Sequence, residues 1–128
     1  MAAVVRINID DSDVDMDDAQ RILYRGALFT GEAAEYQDGH LIGLDEYTDG
    51  VMNGWSREWY LDGSRRSEGY VRRGRAMGES KEWHPNGVLK SRKFFDDNPA
   101  SLSERDTWDE HGVLVDSWRR DDGGLDAP

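Results

Sequence analysis

The sequence predicts an all-β protein, a single-layer antiparallel meander of repeated β-hairpins, and three observations predict it. Aromatic residues recur at a period of about 24 residues, at Tyr36, Trp59, Trp83 and Trp108. A turn glycine follows each, at Gly39, Gly63, Gly87 and Gly112. A second aromatic series, Tyr47, Tyr70, Phe94 and Trp118, runs alongside at steps of 23, 24 and 24. Self-similarity at this spacing marks an array in which each unit is one supersecondary element that cannot bury its apolar side alone.

Within a unit, a first strand runs into the aromatic, a turn reverses the chain, and a second strand runs to the next aromatic. Gly31, Gly54 and Gly78 open the units, with Ser103 in the matching slot of the last, and Gly50 and Gly74 close them. Asp38-Gly39, Asp62-Gly63 and Asn86-Gly87 are signals for type I′ turns, whose two central residues need positive φ. His111-Gly112 is a weaker copy. Counting outward from Asp62-Gly63 pairs Trp59 with Arg66, Arg57 with Glu68, and Trp55 with Tyr70. That register leaves Ser56, Glu58, Arg65 and Ser67 on a polar opposite face. The same counting puts Tyr36 and Tyr47 on one face of the first unit, and Trp83 and Phe94 on one face of the third. Trp118 lies six residues after its turn glycine, where Tyr70 and Phe94 lie seven, and a one-residue slip sends a side chain to the other face.

Residues 1–23 read as an acidic segment, with a strand through Val5, Ile7 and Ile9 and a short helix from Asp15 to Leu23. The array occupies 24–122. Tyr24 to Gly31 looks like half of a degenerate leading repeat, and Asp96 to Ser103, holding Pro99, like a longer loop. Residues 123–128 read as a disordered tail.

With 37% hydrophobic against 34% charged residues, the chain lacks material for a thick core. It has no cysteine, so no disulfide framework and no thiolate zinc site are expected. Nothing after Met1 resembles a signal peptide and no stretch approaches membrane-spanning length, so the expected compartment is the cytoplasm. The net charge of −11 is unevenly placed. Residues 1–63 carry 4 basic and 14 acidic side chains, residues 64–93 carry 9 and 3, and residues 94–128 carry 3 and 10. A linear array turns this into a basic middle between acidic ends. Arg65, Arg66, Arg72, Arg73 and Arg75, with Trp55 and Trp59, are the candidate partner-binding residues, facing an acidic protein surface. Nucleic acid is not an expected partner, because the acidic flanks repel phosphate. Membrane association fits −11 poorly.

Catalytic chemistry has little foothold. His40, His84 and His111 sit at or beside hairpin turns in three different slots, and successive turns lie about 10 Å apart, too far for two imidazoles to share a metal. Solvated turn histidines are the expectation. Asp10, Asp11, Asp13, Asp15, Asp17 and Asp18 alternate like the start of a calcium loop. Yet Met16 stands where such a loop counted from Asp11 needs glycine, and Ile22 where it needs glutamate. The run is expected to lie in solvent or against the arginines of the middle repeats. No phosphate loop or nucleophile elbow is present. No enzyme activity, metal or cofactor is expected. The recurring aromatics, with Gly39, Gly54, Gly63, Gly78, Gly87 and Gly112, are read first as the internal ladder of the array.

The phrases Gly54-Trp55-Ser56-Arg57-Glu58-Trp59-Tyr60-Leu61-Asp62-Gly63, Arg66-Ser67-Glu68-Gly69-Tyr70 and Glu82-Trp83-His84-Pro85-Asn86-Gly87-Val88-Leu89-Lys90-Ser91 resemble the MORN-variant repeat. In particular they resemble the bacterial YwqK-like family, described as antitoxins or immunity proteins. The resemblance spans roughly Tyr24 to Trp118 and is most specific over residues 50–95. It implies a meander of hairpins and a protein that binds and neutralises a partner toxin. It carries no catalytic residue across. Repeats of this kind also occur in scaffolds, so a structural module assembling through open sheet edges is the alternative it leaves.

Overall fold

The computed structural model describes residues 5–96 and 101–120. Among them the chain forms strands and no helix. In order these are β1 (Arg6–Asn8), β2 (Val14–Met16), β3 (Ile22–Tyr24), β4 (Ala27–Leu28), β5 (Gly31–Gln37) and β6 (His40–Thr48). They continue as β7 (Val51–Trp59), β8 (Arg65–Arg72), β9 (Arg75–Trp83), β10 (Leu89–Phe95), β11 (Leu102–Trp108) and β12 (Leu114–Arg119). A nine-stranded sheet has the order β1-β5-β6-β7-β8-β9-β10-β11-β12, and a second sheet has the order β2-β3-β4. From β5 onward each strand pairs antiparallel with its sequence neighbour, so the sheet is a meander; β1 joins β5 in parallel.

The acidic segment departs from expectation. Where a helix was expected from Asp15 to Leu23, β2 and β3 form a hairpin. Asp17 explains the change: its Oδ1 accepts the backbone N–H groups of Ala19 and Arg21 at 3.0 and 2.8 Å, and Gln20 takes φ 63°. A side chain that satisfies local N–H groups in this way favours a turn over a helix. The acidic run does not reach the middle repeats either, because Asp17 pairs with Arg21 and Asp13 with Arg25. Tyr24 belongs to the small sheet, opposite Ala27 across the Arg25-Gly26 turn, and is not half of a leading repeat. The expected extra strand through Val5, Ile7 and Ile9 is present as the shorter β1, Arg6–Asn8.

The core sits at this end. Ile7, Ile22, Phe29 and Ala33 are buried together, with Ile9, Val14, Tyr24 and Tyr47 packed around them. The small sheet therefore covers the first unit as a second layer, which the single-layer reading missed. Backbone bonds lock it down: Ile22 donates to the Gly50 carbonyl, Gly50 to that of Phe29, and Phe29 to that of Ile22. Among the described residues beyond it, no large side chain is fully buried, and the sheet is open on both faces.

Turn chemistry divides the hairpins. Asp38-Gly39, Asp49-Gly50 and Arg73-Gly74 have positive φ at both residues and form the two-residue loops of type I′ turns. At Asp62-Gly63, Asn86-Gly87 and His111-Gly112 the glycine alone has positive φ. There Gly63, Gly87 and Gly112 donate to the carbonyls of Tyr60, His84 and Asp109, making three-residue loops in place of the expected type I′ turns.

A bulge then follows at the same place in four hairpins, β5–β6, β7–β8, β9–β10 and β11–β12. Ile42, Arg66, Lys90 and Val115, each three residues past a turn glycine, are skipped in the pairing. Trp59 consequently stands opposite Arg65, not Arg66. The longer loop and the bulge each shift the register by one residue in opposite senses, so Arg57–Glu68 and Trp55–Tyr70 pair as expected. The first hairpin has the bulge without the longer loop. Glu35 therefore pairs with Gly43 and Gly31 with Tyr47, which places Tyr36 and Tyr47 on opposite faces, contrary to expectation. Trp83 and Phe94 share a face, since Glu79 stands opposite Phe94. Arg119 occupies the slot opposite Glu104, and Trp118 faces the other way beside Arg105.

Gly54, Gly78 and Ser103, which open the last three units, sit at a second set of irregularities, whereas Gly31 pairs regularly with Tyr47. The ladder skips Gly54 in β7, Gly78 in β9 and Ser103 in β11. The loop expected from Asp96 to Ser103 ends earlier than that, since the Asp96 N–H donates to the Ser101 carbonyl and β11 already holds Leu102 and Ser103; residues 97–100 lie outside the described ones, as does the tail 123–128.

Candidate protein-docking surface

Directly opposed residues share a face, so the register defines two surfaces. One row on the first face runs Leu44, Arg57, Glu68, Lys81, Arg92, Asp106 and Ser117 across seven strands. It is laced with charge. Arg57 Nε lies 3.3 Å from Glu68, Arg92 reaches Glu79 at 2.5 Å, and Asp106 accepts from Ser117 Oγ at 2.6 Å and Arg119 Nη1 at 3.1 Å. The guanidinium of Arg92 holds the Glu79 carboxyl below its ordinary range, and bonds from Arg119 and Ser117 do the same for Asp106. Most of these partners are open to water, where such pairs add little stability individually but favour one register over another.

Beside this row on the same face lie Trp55, Tyr70 and Met77. Trp55 and Tyr70 meet edge to face at 5.3 Å and are 39% and 40% exposed. With Glu68, Glu79 and Lys81 they line a shallow groove of about 370 Å³. Arg57 stacks over the Trp55 ring at 5.3 Å.

The groove continues into arginine. Along β8 and β9 the next residues on this face are Arg72 and Arg75, directly opposed at the base of the Arg73-Gly74 turn. Arg73 itself holds φ 50°, and its N–H donates to Asn53 Oδ1 while that of Gly74 donates to the Met52 carbonyl. These bonds fix the tip against the start of β7. All three arginines are exposed, and among the described residues none of them pairs with a carboxylate. Like charges placed directly opposite are destabilising.

The expected five-arginine patch is thus two groups. Arg65 and Arg66 stand at the other end of β8, roughly 20 Å away at the rise of a strand. Both are engaged: Arg65 stacks on Trp83 at 4.3 Å and Arg66 over Tyr60 at 5.7 Å. Trp59 lies with them, half-buried, and Trp83 is buried. Tyr36 and Phe94 are exposed, and Trp108 and Tyr47 are half-buried.

Sequence reasoning overlooked Met77 and two inter-hairpin bonds. Tyr60 donates its hydroxyl to the Trp83 carbonyl at 2.7 Å, and His84 Nε2 lies 2.8 Å from the Trp108 carbonyl. His84 is therefore not a solvated turn histidine, whereas His40 and His111 are exposed. The signal was present, since Tyr60 and His84 each directly follow the recurring tryptophan. Among the described residues no group of three or more His, Asp or Glu could hold a metal ion, and no helix is long and apolar enough to cross a membrane.

What the fold and this surface define is an antiparallel β-meander with an aromatic and arginine-bearing face. Compared with protein-family models, curated proteins and solved structures, the chain matches none.

Proposed function

We propose that this chain is a protein-binding module that docks an acidic partner on Trp55, Tyr70, Met77, Arg72, Arg73 and Arg75, and that it serves as an antitoxin or immunity protein by covering a partner toxin. The observation that carries the docking reading is the opposed pair Arg72 and Arg75, uncompensated in a chain of net charge −11. An arrangement that costs the free protein stability is accounted for when a partner supplies the missing carboxylates. Trp, Tyr, Met and Arg are also the residue types over-represented in interface cores. Shallow, open grooves suit a protein surface better than a small substrate. The toxin reading rests on the resemblance of residues 50–95 to antitoxin repeats.

Co-expression with a toxin encoded beside this gene tests it. The chain restores growth, and reversal of Arg72, Arg73 and Arg75 to glutamate weakens the rescue. Rescue undiminished by the reversal removes the arginine tip from the mechanism.

A further inference from the structure

The last strand, β12, forms one edge of the nine-stranded sheet and is exposed along its whole length. The Arg120 N–H donates to the Ser103 carbonyl, so in the alternating antiparallel pattern Trp118 and Asp116 also turn their backbone groups toward β11. Those of Ser117 and Arg119 turn outward. No proline or lysine blunts Leu114–Arg119, and its bulge at Val115 falls just before Asp116.

On the face shared by Asp116, Trp118 and Arg120 the side chains read acid, indole, base, one at every second position. Trp118 is the aromatic displaced to this face, and it is 38% exposed. We propose that β12 pairs antiparallel with β12 of a second copy about a two-fold axis at Trp118. In that register Trp118 stands opposite its symmetry mate, and Asp116 of each copy stands opposite Arg120 of the other. Ser117 and Arg119 form the backbone-bonded pairs. Residues paired in one continuous sheet must share a face, and this register meets that requirement. Shifting it by two residues in one direction sets Asp116 against an indole. A shift of four sets it against its own mate. The acid, indole, base order is thus complementary to itself when reversed, which is what an isologous contact demands. The opposite edge, β1, has three residues and runs parallel to its neighbour, so it offers no matching strand. Within each subunit Asp116 binds Arg105 and Arg120 binds Asp96, bonds that the dimer exchanges or shares.

Sedimentation equilibrium of the full chain over micromolar to millimolar concentration tests the pairing, with circular dichroism to confirm folding. A monomer–dimer equilibrium is expected. Asp116→Arg or Arg120→Asp alone weakens it about tenfold or more, since each sets like charges opposite one another twice. The double variant Asp116→Arg with Arg120→Asp restores it to within about threefold of the original, although it loses both internal ion pairs. Trp118→Ala weakens the dimer without changing the fold. A protein that stays monomeric at millimolar concentration overturns the proposal. So does a dimer indifferent to Trp118→Ala, or one that the double variant fails to restore.

Discussion

The Tyr60 hydroxyl donates to the backbone carbonyl of Trp83, 23 residues along the chain and one hairpin away in space. His84 makes the corresponding bond to Trp108, and because a carbonyl only accepts, Nε2 carries the proton. Both bonds tie a turn to the next turn, where no strand ladder can. Tyr60→Phe keeps the ring beneath Arg66 and removes the bond. It should cost about 0.5–1.5 kcal/mol, read as a lower urea midpoint with an unchanged slope. A midpoint unaltered by the substitution would show the tie to be idle.

Gly54 stands in an irregularity where β7 crosses β6, at φ 124°. A Cβ there would lie 2.2 Å from Glu46 Oε1 and 2.9 Å from Glu46 Cβ. The flexible carboxylate can swing aside, but the Cβ cannot. Gly54→Ala should therefore lose about 1–3 kcal/mol to backbone strain and crowding. Gly87→Ala meets open space and carries only the turn penalty, so thermal melts of the two should differ, with Gly54→Ala lower.

The hairpin count and the polarity of the strands were legible because Asp-Gly, Asn-Gly and the spaced aromatics report turn chemistry and period directly. Register was only half legible. Counting from Asp62-Gly63 reached Trp55–Tyr70 correctly because the extra loop residue and the bulge at Arg66 offset each other. In the first hairpin the Ile42 bulge had nothing to offset it, and Tyr47 fell to the face of the core. No residue type marks these bulges, since Ile42, Arg66, Lys90 and Val115 have nothing in common but position. The false helix arose because an Asp-rich run resembles a helix N-terminus, while Asp17 spends its carboxylate on a turn. Charge summed over a segment likewise concealed that Arg65 and Arg66 lie on rings and that Arg72, Arg73 and Arg75 stand free of them.

Acid should unfold this protein through its bonded carboxylates. Arg119 and Ser117 hold Asp106 low, backbone bonds from Val113 and His111 hold Asp109 low, and Arg92 holds Glu79 low. A carboxyl whose folded pKa lies below its unfolded value contributes stability above that unfolded value, near pH 4, and loses it as pH falls through the folded value. Urea midpoints should thus be flat from about pH 7 to 5 and fall steadily below about pH 4. Asp106→Asn should lower the plateau and shallow the fall, and an equally steep fall would assign the acid sensitivity elsewhere.

Asp45 works in the opposite sense. Burial raises its pKa, nearby Glu58 adds to the rise, and only the 2.6 Å bond from Ser56 opposes it. Its charge is therefore a liability above its folded pKa, and its protonation as pH falls returns stability. Asp45→Asn keeps an oxygen for Ser56 and removes the charge, so it should stabilise the fold at pH 7, read as a higher urea midpoint. The gain should shrink as pH approaches 4. A destabilised variant would mean that the ionised carboxylate is needed where it stands.

The opposed arginines give a test that separates docking from folding. In the free protein Arg72 faces Arg75 across the end of the β8–β9 hairpin, so Arg72→Glu replaces repulsion with a cross-strand ion pair. The free variant should melt higher, by roughly 1–3 °C, with the increase fading in 0.5 M salt. Its affinity for the acidic partner should fall at the same time, because the pair that stabilises the hairpin consumes the charge the partner needs. Most interface substitutions that weaken binding also weaken the fold or leave it alone. A variant more stable and yet less able to bind would locate the recognition at the tip itself, whereas a variant both stabler and fully competent would leave Trp55, Tyr70 and Met77 to dock without it.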